Sequence, residues 1–151
     1  MAIDELYIEL LKNHKLPSFE DLDNEFDIVS IEDKKVLRAI RRKMSEKLEQ
    51  YAKLVEDLIQ PDGTFSSLYE IKDFTEKDKN EMLSLFKKMM VVYKESIKLN
   101  LNYSEKEDAD FILKLFDFWK EIKPQLATIL DKLTEGWKND TDHKEIQDYL
   151  G

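Results

Sequence analysis

The chain has no cysteine, which excludes disulfides, thiolate metal sites and thiol nucleophiles together. Glycine and proline number three each in 151 residues. With glycines at positions 63, 136 and 151 only, neither a phosphate-binding loop nor a dinucleotide fingerprint can be assembled. No apolar run approaches the roughly 20 residues that cross a bilayer. The opening Met1-Ala2-Ile3-Asp4-Glu5 lacks a basic stretch leading into an apolar one. The expectation is therefore a cytoplasmic chain with no membrane association. The formal charge of −9 has both signs interspersed throughout, which fits a solvated helical surface and disfavours bulk binding of polyanions.

Helical patterning fills what remains. Ile3, Leu6, Tyr7, Leu10 and Leu11 share one face of a short helix that stops before Pro17, because proline restricts the residue preceding it. Ser18 and Asp21 open a second short helix carrying Phe19, Leu22 and Phe26, the serine oxygen accepting an otherwise orphaned amide. Ser30-Ile31-Glu32-Asp33 is a further capping candidate, followed by Leu37, Ile40, Met44, Leu48, Tyr51, Val55 and Leu58 in steps of three or four residues up to Pro61-Asp62-Gly63. Thr75 to Asp78 and Ser104 to Glu107 repeat the capping spacing.

The first of these two opens a stripe through Met82, Leu85, Phe86, Met89, Met90, Tyr93 and Ile97, widened by Leu83, Val91 and Val92 as in a helix covered on several sides. The second opens a seam of Ile112, Leu115, Trp119, Ile122, Leu126, Ile129, Leu133 and Trp137 that continues through Pro124. Asp142 to Glu145 caps a last short helix. Phe26-Asp27-Ile28 and Leu99 to Tyr103 alternate too briefly for strands and read as connectors. The pattern predicts an all-α helical bundle in a single domain spanning 1–151, with about three long helices at roughly 31–59, 75–98 and 104–138. The last of these is kinked near Pro124, and short helices flank the three at both ends.

One cluster stands out chemically. Of 24 basic residues only three are arginines, and these are Arg38, Arg41 and Arg42, with Lys34, Lys35, Lys43 and Lys47 around them. Positions i, i+3 and i+4 share a helix face, so three guanidinium forks converge in a way suited to phosphate or carboxylate. The competing expectation pairs these arginines with the acidic stretch Glu20 to Asp27, or with Glu46 and Glu49. No aromatic interleaving accompanies the cluster, so nothing in it reads a base.

Metal chemistry has little to work with, because the only two histidines, His14 and His143, follow Leu11 and Asp140 by three residues and so complete no Glu-x-x-His motif. Asp117 and Glu121 lie one helical turn apart but among lysines, which predicts a solvated face. No catalytic, cofactor-binding or metal-ligating residue emerges.

The apolar surplus at Phe111, Phe116, Phe118, Met82, Met89 and Met90 reads as core, with an exposed groove or a self-association seam as the other option. The sequence thus predicts a non-enzymatic helical adaptor or assembly subunit. It would engage a protein partner, or another copy of itself, through apolar helix faces and an acidic partner through Arg38, Arg41, Arg42, Lys34 and Lys35. The alternative is a nucleic-acid-associated accessory factor gripping phosphates with the same residues, for which steep loss of binding with salt is the marker.

Overall fold

A computed structural model describes residues 2–139. Among the described residues there are six helices and no strand: α1 (Ile3–Leu11), α2 (Phe19–Phe26), α3 (Val36–Ile59), α4 (Phe65–Ile71), α5 (Glu76–Leu99) and α6 (Glu105–Lys138). The three long helices are those the hydrophobic periodicity predicts, and α6 continues as one element of 34 residues with Pro124 inside it. The short helix expected after Asp142, and with it His143, lies outside the described residues. No helix among the described residues is long and apolar enough to cross a membrane. Among the described residues contacts define two compact units, one of residues 2–50 and 90–121, the other of 51–89 and 122–139.

The first unit contains α1, α2, the start of α3, the end of α5 and the start of α6. Its core is Tyr7, Leu22, Ile28, Ile40, Met44, Leu48, Ile112 and Leu115, all with essentially no exposed surface. The Tyr7 hydroxyl donates to the Pro17 carbonyl, which holds the chain reversal after α1, and burial pushes that hydroxyl above the usual tyrosine range. α2 begins as predicted, the Ser18 Oγ accepting the Asp21 amide at 3.1 Å. It ends on Asp27 in the left-handed region (φ 53°), a conformation that Asp tolerates because its short polar side chain bonds locally.

α3 begins five residues later than the capping signal at Ser30 suggests. The Ile31 amide is taken by the Ile28 carbonyl (3.1 Å), and Asp33 Oδ1 accepts the Lys35 amide (2.8 Å). Asp33 thus closes a local turn, and the Ser30 hydroxyl faces the Lys43 ammonium (3.4 Å) and caps no helix.

The second unit holds the end of α3, α4, the start of α5 and the end of α6. Val55, Leu58, Phe74, Met82, Leu85, Met89, Ile122 and Leu126 form its core. Gly63 (φ 87°) makes the turn after α3, in a backbone conformation that side chains other than glycine rarely adopt. Tyr69 stacks on Trp137 at 4.5 Å between centroids and donates to the Gly136 carbonyl at 2.8 Å, fixing α4 on the end of α6.

Thr75 and Asp78 form the predicted capping box, with Thr75 Oγ1 accepting the Asp78 amide (3.1 Å) and Asp78 Oδ2 accepting the Thr75 amide (2.9 Å). Asp78 also receives the Lys132 ammonium at 2.8 Å. That lysine first, and the Thr75 amide second, lower the Asp78 carboxyl to about 2 from an ordinary 3.8. A carboxylate more acidic in the folded than in the unfolded chain adds stability above its unfolded value, and loses it as pH falls toward the folded one. Urea midpoints of wild type and Asp78→Asn should therefore differ at neutral pH and converge as pH drops from about 4 to about 2. A gap that stays constant down to that pH would contradict the assignment.

Candidate functional site

The three arginines share a helix face but not a fate. Arg41 is wholly buried in the first unit. Its Nε donates to Asp108 Oδ1 (2.6 Å), Nη1 to the Ser96 carbonyl and Oγ (2.7 and 2.8 Å), and Nη2 to Asn100 Oδ1 (2.7 Å). Ser45 completes the network, donating to the Arg41 carbonyl (2.8 Å) and meeting the Ser96 hydroxyl at 2.5 Å. α3, α5 and α6 each supply a member. A guanidinium removed from water is tolerable only when its donors are met and its charge matched, and Asp108, itself buried, supplies the match. The fork of Arg41 is thus engaged by the protein itself.

Arg38 and Arg42 lie differently. Arg42 is exposed, and its one hydrogen bond among the described residues runs from Nε to Asn100 Oδ1 (3.2 Å). Arg38 is half-buried, and its Nε is the one buried side-chain nitrogen or oxygen among the described residues with no hydrogen-bond partner. Lys34 and Lys35 are exposed at the entry to α3, with the Lys35 ammonium 4.5 Å from the Tyr103 ring centroid.

The acidic stretch before α3 does fold onto this helix, but by different bonds from those expected. Lys43 and Lys47 donate to the backbone carbonyls of Asp27 and Glu25, and the carboxylate that takes Arg41 is Asp108. Sequence reasoning missed Asp108, Ser96, Asn100 and Ser45.

Apolar residues remain outside the core at the connection between α5 and α6. Leu101 is 78% exposed and Tyr103 47% exposed. A groove of about 470 Å³ in the first unit is lined by Leu99, Leu101 and Phe111 together with charged Glu95, Lys98, Glu107, Asp110 and Lys114. The long seam of α6, by contrast, is interior from Ile112 to Ile129. Phe111, Phe116, Met82 and Met89 are core as predicted, whereas Phe118 and Met90 are only half-buried. α5 is not covered all round, because Leu83 and Val91 are 37% and 58% exposed.

Elsewhere the groups that could carry chemistry have ordinary partners. Asp117 and Glu121 are both exposed, the solvated face their lysine neighbours predict. His14 Nε2 lies 3.0 Å from Glu105 Oε1. Among the described residues no group of three or more histidines and carboxylates could hold a metal ion. A cavity of about 200 Å³ in the second unit is lined by Phe74, Met82, Leu85 and Ile129, with the Asp78–Lys132 pair at its side. Comparison with known families, curated proteins and solved structures yields no significant match to any of them.

Proposed function

We propose that the protein is a non-enzymatic interaction subunit whose recognition surface is the connection between α5 and α6. The observation that carries this reading is Leu101, 78% exposed and lining a groove with Leu99 and Phe111, where burial in a partner would remove apolar surface from water. From Ile112 to Ile129 the seam of α6 is buried and offers no such surface, so self-association through that stretch is set aside. Charged groups of both signs, Glu95, Glu107 and Asp110 with Lys98 and Lys114, supply the polar rim that protein interfaces carry around an apolar centre.

A photo-crosslinking residue placed at Leu101, with a second at exposed Lys87 as control, tests the reading in native cells. One defined protein adduct specific to position 101 is the expected result. Equal or absent adducts at the two positions would refute it.

The phosphate-gripping alternative keeps Arg38, Arg42, Lys34 and Lys35 but not Arg41, whose donors face Asp108, Ser96 and Asn100. With four cations left it still predicts a steep salt dependence, on the order of one decade of affinity lost per decade of salt for each phosphate neutralised, and binding insensitive to salt would remove it.

A further inference from the structure

We propose that the cavity of the second unit is a binding site for a small amphipathic cation, a primary ammonium carried on one ring or a short alkyl chain. The apolar body would rest on Phe74, Met82, Leu85 and Ile129, and the ammonium would meet the acceptors at the rim beside Glu81. The site lies in the other unit from Leu101 and does not depend on the interaction reading above. Its size limits the occupant. An apolar cavity of about 150 Å³ holds one benzene, so about 200 Å³ admits a single ring with a short arm and is too small for a nucleotide.

The floor is built from inward positions of two helices. Met82 and Leu85 stand on the buried stripe of α5 and Ile129 on that of α6, while Phe74 is held just ahead of α5 by the Thr75–Asp78 capping box. Each of the four is at most 8% exposed, so the cavity opens onto core residues. Polar groups converging over an apolar floor, one of them a carboxylate of perturbed acidity, are the ordinary make-up of a small-molecule site.

The rim decides the sign of the ligand. Its charged residues are Asp78, Glu81 and Lys132, two carboxylates against one ammonium. Lys132 is already matched: its ammonium donates to Asp78 Oδ2 at 2.8 Å and lies 5.0 Å from the Phe74 ring centroid. Asp78, held at about 2 by that lysine first and by the Thr75 amide second, stays ionised at neutral pH, so an incoming anion would share Lys132 with a fixed negative charge. Glu81, by contrast, is exposed and has no hydrogen bond or ion pair among the described residues. Thr128 Oγ1 directs its hydrogen to the Pro124 carbonyl (3.0 Å) and so offers the cavity only lone pairs. Gln125 can donate or accept and favours neither sign. The charge left unmatched at the rim is thus negative and accompanied by acceptors, the complement of an ammonium with its three donors.

The test is NMR of the full chain labelled at its methionine methyls and titrated with 2-phenylethylammonium, neutral 2-phenylethanol, anionic 3-phenylpropanoate and methylammonium. The expected result is a saturable shift of the Met82 methyl by 2-phenylethylammonium, with a Kd of about 1 mM or tighter. The alcohol and the propanoate should bind more weakly, and methylammonium, which lacks the apolar body, should leave Met82 unshifted. Glu81→Gln, a change at an exposed position, should weaken the ammonium probe about threefold to tenfold and leave the alcohol unchanged. No saturable Met82 shift, an equal shift at Met44 in the other unit, or equal or tighter binding of the alcohol, the propanoate or methylammonium would each overturn the proposal. So would undiminished affinity in a folded Glu81→Gln variant, and should that variant fail to fold, the ranking of the four probes on wild type decides the matter.

Discussion

Arg41→Met should destabilise the fold by about 3–5 kcal/mol, a large share of the roughly 5–15 kcal/mol that holds a domain together. Removing the guanidinium leaves Asp108 buried without its cation, and takes donors from the Ser96 carbonyl and Asn100 Oδ1. Arg41→Lys should recover little, because one ammonium cannot reach four acceptor atoms spread around a planar fork. Replacing both charges, Arg41→Met with Asp108→Leu, should restore most of the loss, since the penalty comes mainly from the stranded carboxylate. Arg42→Met, on the same face but exposed, should stay within about 0.5 kcal/mol of wild type. Urea denaturation of the four variants checks this, and similar midpoints for Arg41→Met and Arg42→Met would contradict the buried network.

Trp119→Ala should cost about 3–5 kcal/mol by the same measurement. The indole is buried on α6 and joins that helix to α2 in two ways. Its ring packs on Phe26 with centroids 5.6 Å apart, and its N–H donates to Glu25 Oε2 at 2.9 Å. The Lys47 ammonium sits 5.0 Å from the ring centroid, so the truncation also removes a cation–π contact of about 0.5–1 kcal/mol or more. Trp119→Phe keeps most of the packing but leaves Glu25 without the indole donor, and should cost roughly 1–2 kcal/mol. Amide exchange should quicken across α2 in the alanine variant before it quickens in α4, which lies in the other unit. Uniform acceleration, or none, would show that Trp119 is not what anchors α2.

The course of the long helices could be read from periodicity because each buries one stripe: Leu37, Ile40, Met44 and Leu48 on α3, and Ile112, Leu115, Trp119 and Ile122 on α6. The caps at Ser18, Thr75 and Ser104 were equally legible, their hydroxyls accepting the amides three residues on. The signal at Ser30 misled because Asp33, inside the same motif, offers a competing turn of its own.

For the arginines, spacing placed three on one face without saying which would turn inward. A signal was present all the same. Position 41 follows Leu37 by four residues and precedes Met44 by three, so Arg41 stands in the apolar stripe itself, as Ser45, Ser96 and Asp108 stand among the inward positions of their own helices. A polar residue in a core stripe calls for a buried partner, but which partner depends on how helices far apart in sequence are set against one another, and that is a tertiary fact. The exposure of Leu101 depends in the same way on what the fold leaves uncovered.

The most direct test is to measure folding stability side by side for Arg38→Gln, Arg41→Gln and Arg42→Gln. Arg41→Gln should lose several kcal/mol, because its donors hold Asp108, Ser96 and Asn100 in the interior, while Arg38→Gln and Arg42→Gln should remain as stable as wild type. If Arg41→Gln is as stable as the other two, Arg41 does not brace the first unit and the division of this cluster into one internal and two outer arginines is wrong.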